Sequence, residues 1–102
     1  MKEKAVVLNT MSGGPGDILE KSRSCTIRKD EKGLVRVRYG NSASEEAVLK
    51  LTLTALSPDV PCKVENGREE TFIYANRAGI LENRFRVLPG GVINIYELNP
   101  ED

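Results

Sequence analysis

Residues 25–39 read CTIRKDEKGLVRVRY, and apolar side chains alternate with polar ones on both sides of a short polar segment. Alternation with a period of two predicts a half-buried β-strand on each side. Gly33 supplies the left-handed conformation that ends a three-residue loop made of Glu31, Lys32 and Gly33. The stretch therefore predicts an antiparallel hairpin with one apolar face and one polar face.

This loop length places arginine directly opposite arginine on the polar face. A four-residue loop would instead pair Ile27 with Arg36, which mixes an apolar and a charged side chain. Two opposed guanidinium groups repel each other by a few tenths of a kcal/mol up to about 1 kcal/mol, so the hairpin favours a negative charge nearby. The predicted pairs are Cys25 with Tyr39, Ile27 with Val37, Arg28 with Arg36, and Thr26 with Arg38.

Residues 21–38 contain seven Lys/Arg and two Asp/Glu, which predicts a local anion-binding or partner-binding surface. Arginine on a stiff hairpin is suited to bidentate recognition of carboxylate or phosphate. The alternative is an ordinary solvated face, in which a carboxylate of Glu45, Glu46 or Glu69 lies between the two arginines. The candidate residues are Lys21, Arg23, Arg28, Lys29, Arg36 and Arg38.

The rest of the chain shows the same alternation and is cut into short segments by glycine and proline. Residues 17–22 have room for a helical turn, whereas threonine at alternate positions of residues 47–56 favours a strand. We predict one all-β domain over residues 1–102, a small antiparallel β-sandwich or partly open barrel of about seven to eight short strands. The predicted strands are 5–10, 24–30, 34–39, 47–56, 62–65, 68–75, 84–88 and 92–98.

Two more hairpins are predicted from turn residues. Asn66 and Gly67 favour a type I′ turn, and Pro89 with two glycines favours a three-residue loop. Apolar residues on both sides of strand 68–75 suggest burial on both faces or an intermolecular contact. The pairs expected from these turns are Glu65 with Arg68, Lys63 with Glu70, Val87 with Ile93, and Phe85 with Ile95.

The pattern Tyr-(Gly/Ala)-Asn-x-Ala occurs at residues 39–43 and 74–78. It predicts two turns in which the asparagine side chain bonds the neighbouring backbone. A duplicated unit is the alternative reading. The glycine-rich stretch at residues 12–16 lacks the Gly-Lys-Ser/Thr of a phosphate-binding loop, so we interpret it as a flexible surface connection.

The composition argues against catalysis and metal binding. The 102 residues include no histidine, and fifteen Lys/Arg balance fifteen Asp/Glu. Without histidine the usual general base and the commonest metal ligand are missing. We therefore expect no enzymatic activity, no cofactor and no metal. The two cysteines, Cys25 and Cys62, are expected to be reduced core thiols, because no export signal or membrane span is recognisable and a cytoplasmic location is the default.

Charge is unevenly distributed along the chain. Residues 1–50 hold ten Lys/Arg and seven Asp/Glu, whereas residues 51–102 hold five and eight. We therefore expect a protein-interaction or self-assembling module, of structural or adaptor type, that docks its basic hairpin face on an acidic protein or on another copy. A homo-oligomer is expected, with exposed edge strands such as 5–10 available for sheet extension. The alternative is a nucleic-acid-binding domain that contacts phosphates through the same hairpin; no membrane partner is expected.

Overall fold

The computed structural model describes residues 2–98 and shows nine β-strands and one 3₁₀ turn (Thr10–Ser12). They form a three-stranded sheet in the order β1-β5-β8 and a six-stranded sheet in the order β2-β3-β4-β9-β6-β7. The prediction of a small all-β sandwich is confirmed. The strands are β1 (Lys2–Asn9), β2 (Ile18–Lys21), β3 (Cys25–Lys29), β4 (Val35–Gly40), β5 (Ala47–Thr54), β6 (Cys62–Asn66), β7 (Glu69–Ile73), β8 (Leu81–Val87) and β9 (Val92–Glu97).

Nearly all of the described pairings are antiparallel, as predicted, but β1 pairs with β5 in parallel. A parallel neighbour needs a long connection, and here the 3₁₀ turn and strands β2 to β4 of the other sheet provide it. The strand predicted at residues 5–10 lies at the edge of its sheet, as expected.

One apolar core lies between the two sheets. Alternate residues of each strand point inward, which is the period-two pattern of the sequence. In the three-stranded sheet the buried residues include Ala47, Leu49, Leu51, Leu53, Phe85 and Val87; in the six-stranded sheet they include Cys25, Ile27, Val37, Tyr39, Cys62, Val64, Ile93 and Ile95. Full burial of one such aliphatic side chain contributes about 1.5–3 kcal/mol.

The hairpin at residues 25–39 has the predicted register. All four predicted pairs are present, including Arg28 with Arg36. Gly33 has a φ of +82°, and the N–H of Asp30 donates to the carbonyl of Leu34 at 2.9 Å, which closes the loop. The period-two pattern and one glycine were sufficient to predict this element.

The register predicted for the β6–β7 hairpin is wrong, because the two-residue turn begins one residue later than predicted. The turn is formed by Gly67 and Arg68, so Glu65 lies opposite Glu70. Gly67 has a positive φ and Arg68 does not, which fits a type II′ turn with glycine in its first central position. This register places Ile73 opposite Cys62, where it packs against the core.

The predicted hairpin at residues 84–96 is also wrong. β8 pairs with β5, whereas β9 pairs with β4 and β6, so the chain crosses from one sheet to the other between them. Asn41 stabilises this crossing, because its side-chain amide donates to the carbonyls of Val87 (3.0 Å) and Leu88 (3.2 Å). The inward residues of β8 and β9 belong to opposite walls of one core.

Two predictions about short segments need correction. Residues 18–21 form strand β2 rather than a helical turn, with a bulge between Ile18 and Glu20. Of the two interpretations of strand 68–75, burial on both faces is wrong, because Phe72 is 57% and Tyr74 60% exposed; the intermolecular contact stays a prediction.

The asparagine turns predicted at the repeated motif are confirmed. Asn41 Oδ1 accepts from the N–H of Ala43, and Asn76 Oδ1 accepts from the N–H of Ala78. Cys25 and Cys62 are buried and not bonded to each other, as expected for core thiols. No helix within residues 2–98 has the length and apolarity needed to cross a bilayer.

Candidate binding face of the six-stranded sheet

The outer face of the six-stranded sheet carries two rows of side chains that cross all six strands. Both rows follow directly from the residue pairing between neighbouring strands. The first row consists of Lys21, Thr26, Arg38, Asn94, Glu65 and Glu70. The second row consists of Ile18, Arg28, Arg36, Tyr96, Lys63 and Phe72. We call the part on β2, β3 and β4 that contains Lys21, Arg28, Arg36 and Arg38 the basic face.

A shallow groove of about 680 Å³ lies over the middle of these rows. Its lining residues come from four adjacent strands, β3, β4, β9 and β6, so a stiff backbone supports it. It is open rather than enclosed and has room for side chains of a partner. Its lining residues are Thr26, Arg28, Arg36, Val37, Arg38, Glu65, Asn94, Ile95 and Tyr96.

Arg28 and Arg36 lie opposite each other but differ in their surroundings. The Arg28 side chain is exposed, and no hydrogen bond or ion pair engages it within residues 2–98. Arg36 Nε lies 3.4 Å from Asp30 Oδ2, and its guanidinium carbon lies 5.6 Å from the centre of the Tyr96 ring. Among the described residues, one arginine of the pair is therefore partly neutralised and the other is not.

The Asp30 carboxylate bonds both the backbone of the hairpin loop and the side chain of Arg36. Partial burial opposes ionisation of this carboxyl, but hydrogen bonds from the N–H groups of Leu34 and Lys32, together with Arg36, hold its pKa below the usual value. Both N–H groups donate to Oδ1 at 2.9 Å, which leaves Oδ2 for Arg36. The carboxylate near the arginine pair is thus Asp30 of the same hairpin, not Glu45, Glu46 or Glu69.

Arg38 and Lys21 complete the basic face. Arg38 is exposed between Thr26 and Asn94, both uncharged, and Lys21 is exposed on the edge strand β2. No ion pair engages either side chain in the described part of the chain. Four of the six predicted site residues therefore share one surface.

The other two predicted site residues lie elsewhere. Lys29 follows Arg28 and so has the opposite orientation, and its Nζ donates to the carbonyl of Gly13 at 2.7 Å. That bond ties the glycine-rich stretch to β3. Arg23 lies in the connection between β2 and β3, where it lines a second depression with Lys2 and Arg38.

The far end of the two rows carries acidic groups. Lys63 Nζ lies 3.3 Å from Glu70 Oε1 and 3.9 Å from Glu65 Oε2. The hydrogen bond that Lys63 donates to Glu70 raises the pKa of Lys63 above its usual value, against the opposing effect of desolvation. The outer face is therefore basic on β2 to β4 and mixed on β6 and β7.

Tyr96 and Asn94 are among the groove residues that the predicted site did not include. The alternation of residues 92–98 already indicates that both side chains point outward. The missing information was that β9 lies beside β4, which is a long-range pairing.

Metal chemistry has no candidate in the described residues 2–98, because no group of three or more Cys, Asp or Glu side chains converges there. No protein-family model matches the sequence, and no curated protein matches it significantly. We therefore base the proposed function on the geometry of the basic face.

Proposed function

We propose that this domain is a non-catalytic protein-interaction module that docks its basic face onto an acidic surface of a partner protein. The observation that supports this most directly is the opposition of Arg28 and Arg36 on a stiff hairpin, with Arg28 unpaired among the described residues. A partner carboxylate between the two guanidinium groups replaces a repulsive contact with two charge-assisted hydrogen bonds.

The shape of the surface favours a protein partner. The groove is shallow and spans four strands, which suits an exposed loop or strand that presents Asp and Glu side chains. Tyr96 offers an aromatic side next to Arg36, and aromatic and arginine residues are enriched in protein interfaces. Exposed charges of this kind mainly raise the association rate and select the partner.

A nucleic acid would offer phosphates to the same arginines, and Tyr96 could stack a base. The acidic residues Glu65 and Glu70 lie at the far end of the first row and would repel a continuous polyanion that followed it. The net charge of zero also gives no long-range attraction. A protein partner with a local acidic patch is thus the better fit.

The test compares two probes on the intact chain, a fluorescent peptide with a short central cluster of Asp and Glu and a fluorescent single-stranded oligonucleotide, by anisotropy at about 50 mM salt. We expect the peptide to bind more tightly than the oligonucleotide. Arg28→Glu with Arg36→Glu should weaken binding by about tenfold or more, because repulsion replaces two close contacts.

The matched control is Arg84→Glu with Arg86→Glu, which makes the same charge change on the outer face of the three-stranded sheet. It should retain wild-type affinity within about twofold. Equal losses in both variants would show a non-specific charge effect and overturn the proposal. Tighter binding of the oligonucleotide would favour the nucleic-acid function instead.

A further inference from the structure

The six-stranded sheet has two open edges, and they differ in character. At one edge β7 has exposed or half-buried residues throughout, and Phe72 is 57% exposed. At the other edge β2 exposes Ile18 by 57% and carries Lys21. β2 and β7 are the first and last strands of the six-stranded sheet, and their residues are exposed or half-buried.

The strand directions allow the two edges to join. All neighbours in the six-stranded sheet are antiparallel, and six is an even number, so β7 and β2 run in opposite directions. A second copy placed in the same orientation therefore brings its β2 antiparallel to β7 of the first. The joined sheets continue one antiparallel sheet.

Lys21 and Glu70 can form a hydrogen-bonded pair across the junction, because the backbone groups of both residues point to the open edges. Hydrogen-bonded and non-hydrogen-bonded pairs alternate along antiparallel strands. The N–H of Ser22 donates to the carbonyl of Cys25, so the next pair, Lys21 with Thr26, leaves the backbone groups of Lys21 pointing to the open edge.

At the opposite edge, a two-residue turn is closed by the hydrogen-bonded pair of Asn66 and Glu69. The next pair, Glu65 with Glu70, is therefore the non-hydrogen-bonded kind. The backbone N–H and C=O of Glu70 point away from β6, towards a neighbouring strand.

The side chains select the same register. Lys21 and Glu70 both belong to the first row of the outer face, so a junction that pairs them places opposite charges side by side. It also brings Phe72 near Ile18 of the next copy, which covers the two apolar ends of the second row. Shifting by two residues would place Arg68 or Phe72 opposite Lys21, and neither side chain offers an opposite charge.

We infer that copies of this chain associate head to tail, with β7 of one copy paired to β2 of the next through Glu70 and Lys21. The inference rests on the proposed role as an interaction module and names a second copy as one partner. It uses the sheet edges rather than Arg28 and Arg36, so the two can fail separately. Such a contact joins different surfaces and gives a ring or a linear series rather than a closed pair.

Sedimentation velocity over a concentration series tests this with the intact chain. Lys21→Glu and Glu70→Lys should each raise the apparent dissociation constant by about tenfold, because each places like charges opposite each other. The charge-swapped variant that carries both changes should regain association to within about threefold of wild type. An equimolar mixture of the two single variants should also associate.

Two controls make the outcomes decisive. Glu69→Lys makes the same charge change on the neighbouring residue, whose backbone faces β6, and should have little effect. Arg28→Glu with Arg36→Glu should associate like wild type, which separates this result from the docking function. A wild-type chain that is monomeric at all concentrations would overturn the inference. So would sensitivity to Glu70→Lys without sensitivity to Lys21→Glu, the result expected for pairing of β7 with itself.

Discussion

Asn41 shows how much a single side chain contributes to the sandwich. It is 4% exposed, and its amide nitrogen donates to the carbonyls of Glu45 (2.8 Å), Val87 and Leu88. Its backbone N–H donates to Gly91, and its carbonyl accepts from Gly90 at 2.7 Å. One residue therefore joins the end of β4, the start of β5 and the crossing between β8 and β9.

Asn41→Ala should lower the free energy of unfolding by about 3 kcal/mol, because it removes the hydrogen bonds to the carbonyls of Glu45, Val87 and Leu88 and the acceptor of the Ala43 N–H. The matched control is Asn76→Ala, which removes a similar turn at an exposed position. That change should cost about 1 kcal/mol. Urea unfolding followed by far-UV circular dichroism measures both, and equal losses would mean that Asn41 has no special role.

At the scale of elements, the turn at residues 76–80 packs closely on the end of β5. The N–H of Leu56 donates to the carbonyl of Gly79 at 2.9 Å. Gly79 has a φ of +77°, and a Cβ at this position would lie 2.7 Å from the carbonyl oxygen of Leu56. The turn at Gly67 has a φ of +63° but no atom within 4 Å of such a Cβ.

This contrast predicts different effects of the same substitution. Gly67→Ala should cost about 1–2 kcal/mol, the strain of a left-handed residue with a side chain. Gly79→Ala carries that strain and a backbone clash, so we expect a loss of about 3 kcal/mol or more. Chemical unfolding of both variants checks this, and a loss at Gly67 as large as that at Gly79 would contradict the close contact.

At the scale of the whole molecule, two sheets share one core that buries both thiols. Burial raises the pKa of Cys62 from 9.0 to about 12, with a smaller contribution from Glu97. Burial also raises the pKa of Cys25 and of Tyr39. Since unfolding exposes these groups, their titration couples the stability of the entire sandwich to alkaline pH.

The sign follows from the raised pKa values. Below pH 9 the thiol of Cys62 is protonated in both states, so stability does not depend on it. Between pH 9 and 12 only the unfolded state loses the proton, and stability falls as the pH rises. From pH 8.5 to 10.5 the wild type should lose about 2 kcal/mol more than Cys62→Ala, which retains the other two groups. Urea unfolding at both pH values measures the difference, and parallel losses would contradict the burial of this thiol.

Several features were predictable because they depend on near neighbours in the chain. The register of Arg28 with Arg36 needed only the alternation of apolar residues and Gly33. Placing Arg38 on the same face followed from the same period. The error at Glu65 and Arg68 arose because two turn types are compatible with Asn66 and Gly67, and the core contact of Ile73 decided between them.

Other features depend on residues far apart in sequence. Tyr96 lies beside Arg36 in the groove only because β9 lies between β4 and β6, and the bond from Lys29 to the carbonyl of Gly13 depends on how the glycine-rich stretch lies against β3. The predicted pairing of Val87 with Ile93 failed for a related reason. Two strands joined by a short loop can lie side by side in one sheet or face each other across a sandwich. The local sequence pattern is the same in both cases.

The sequence by itself determined most of the β-strands, their inward faces and the opposed arginine pair, because a period of two and a left-handed glycine act over a few residues. Only the tertiary structure decided which strands are neighbours, and therefore which charges share a face and which edges remain open. Strand order is set by packing of the whole core and by long-range hydrogen bonds such as those of Asn41. These interactions join residues from several strands, so no single segment of the sequence shows them.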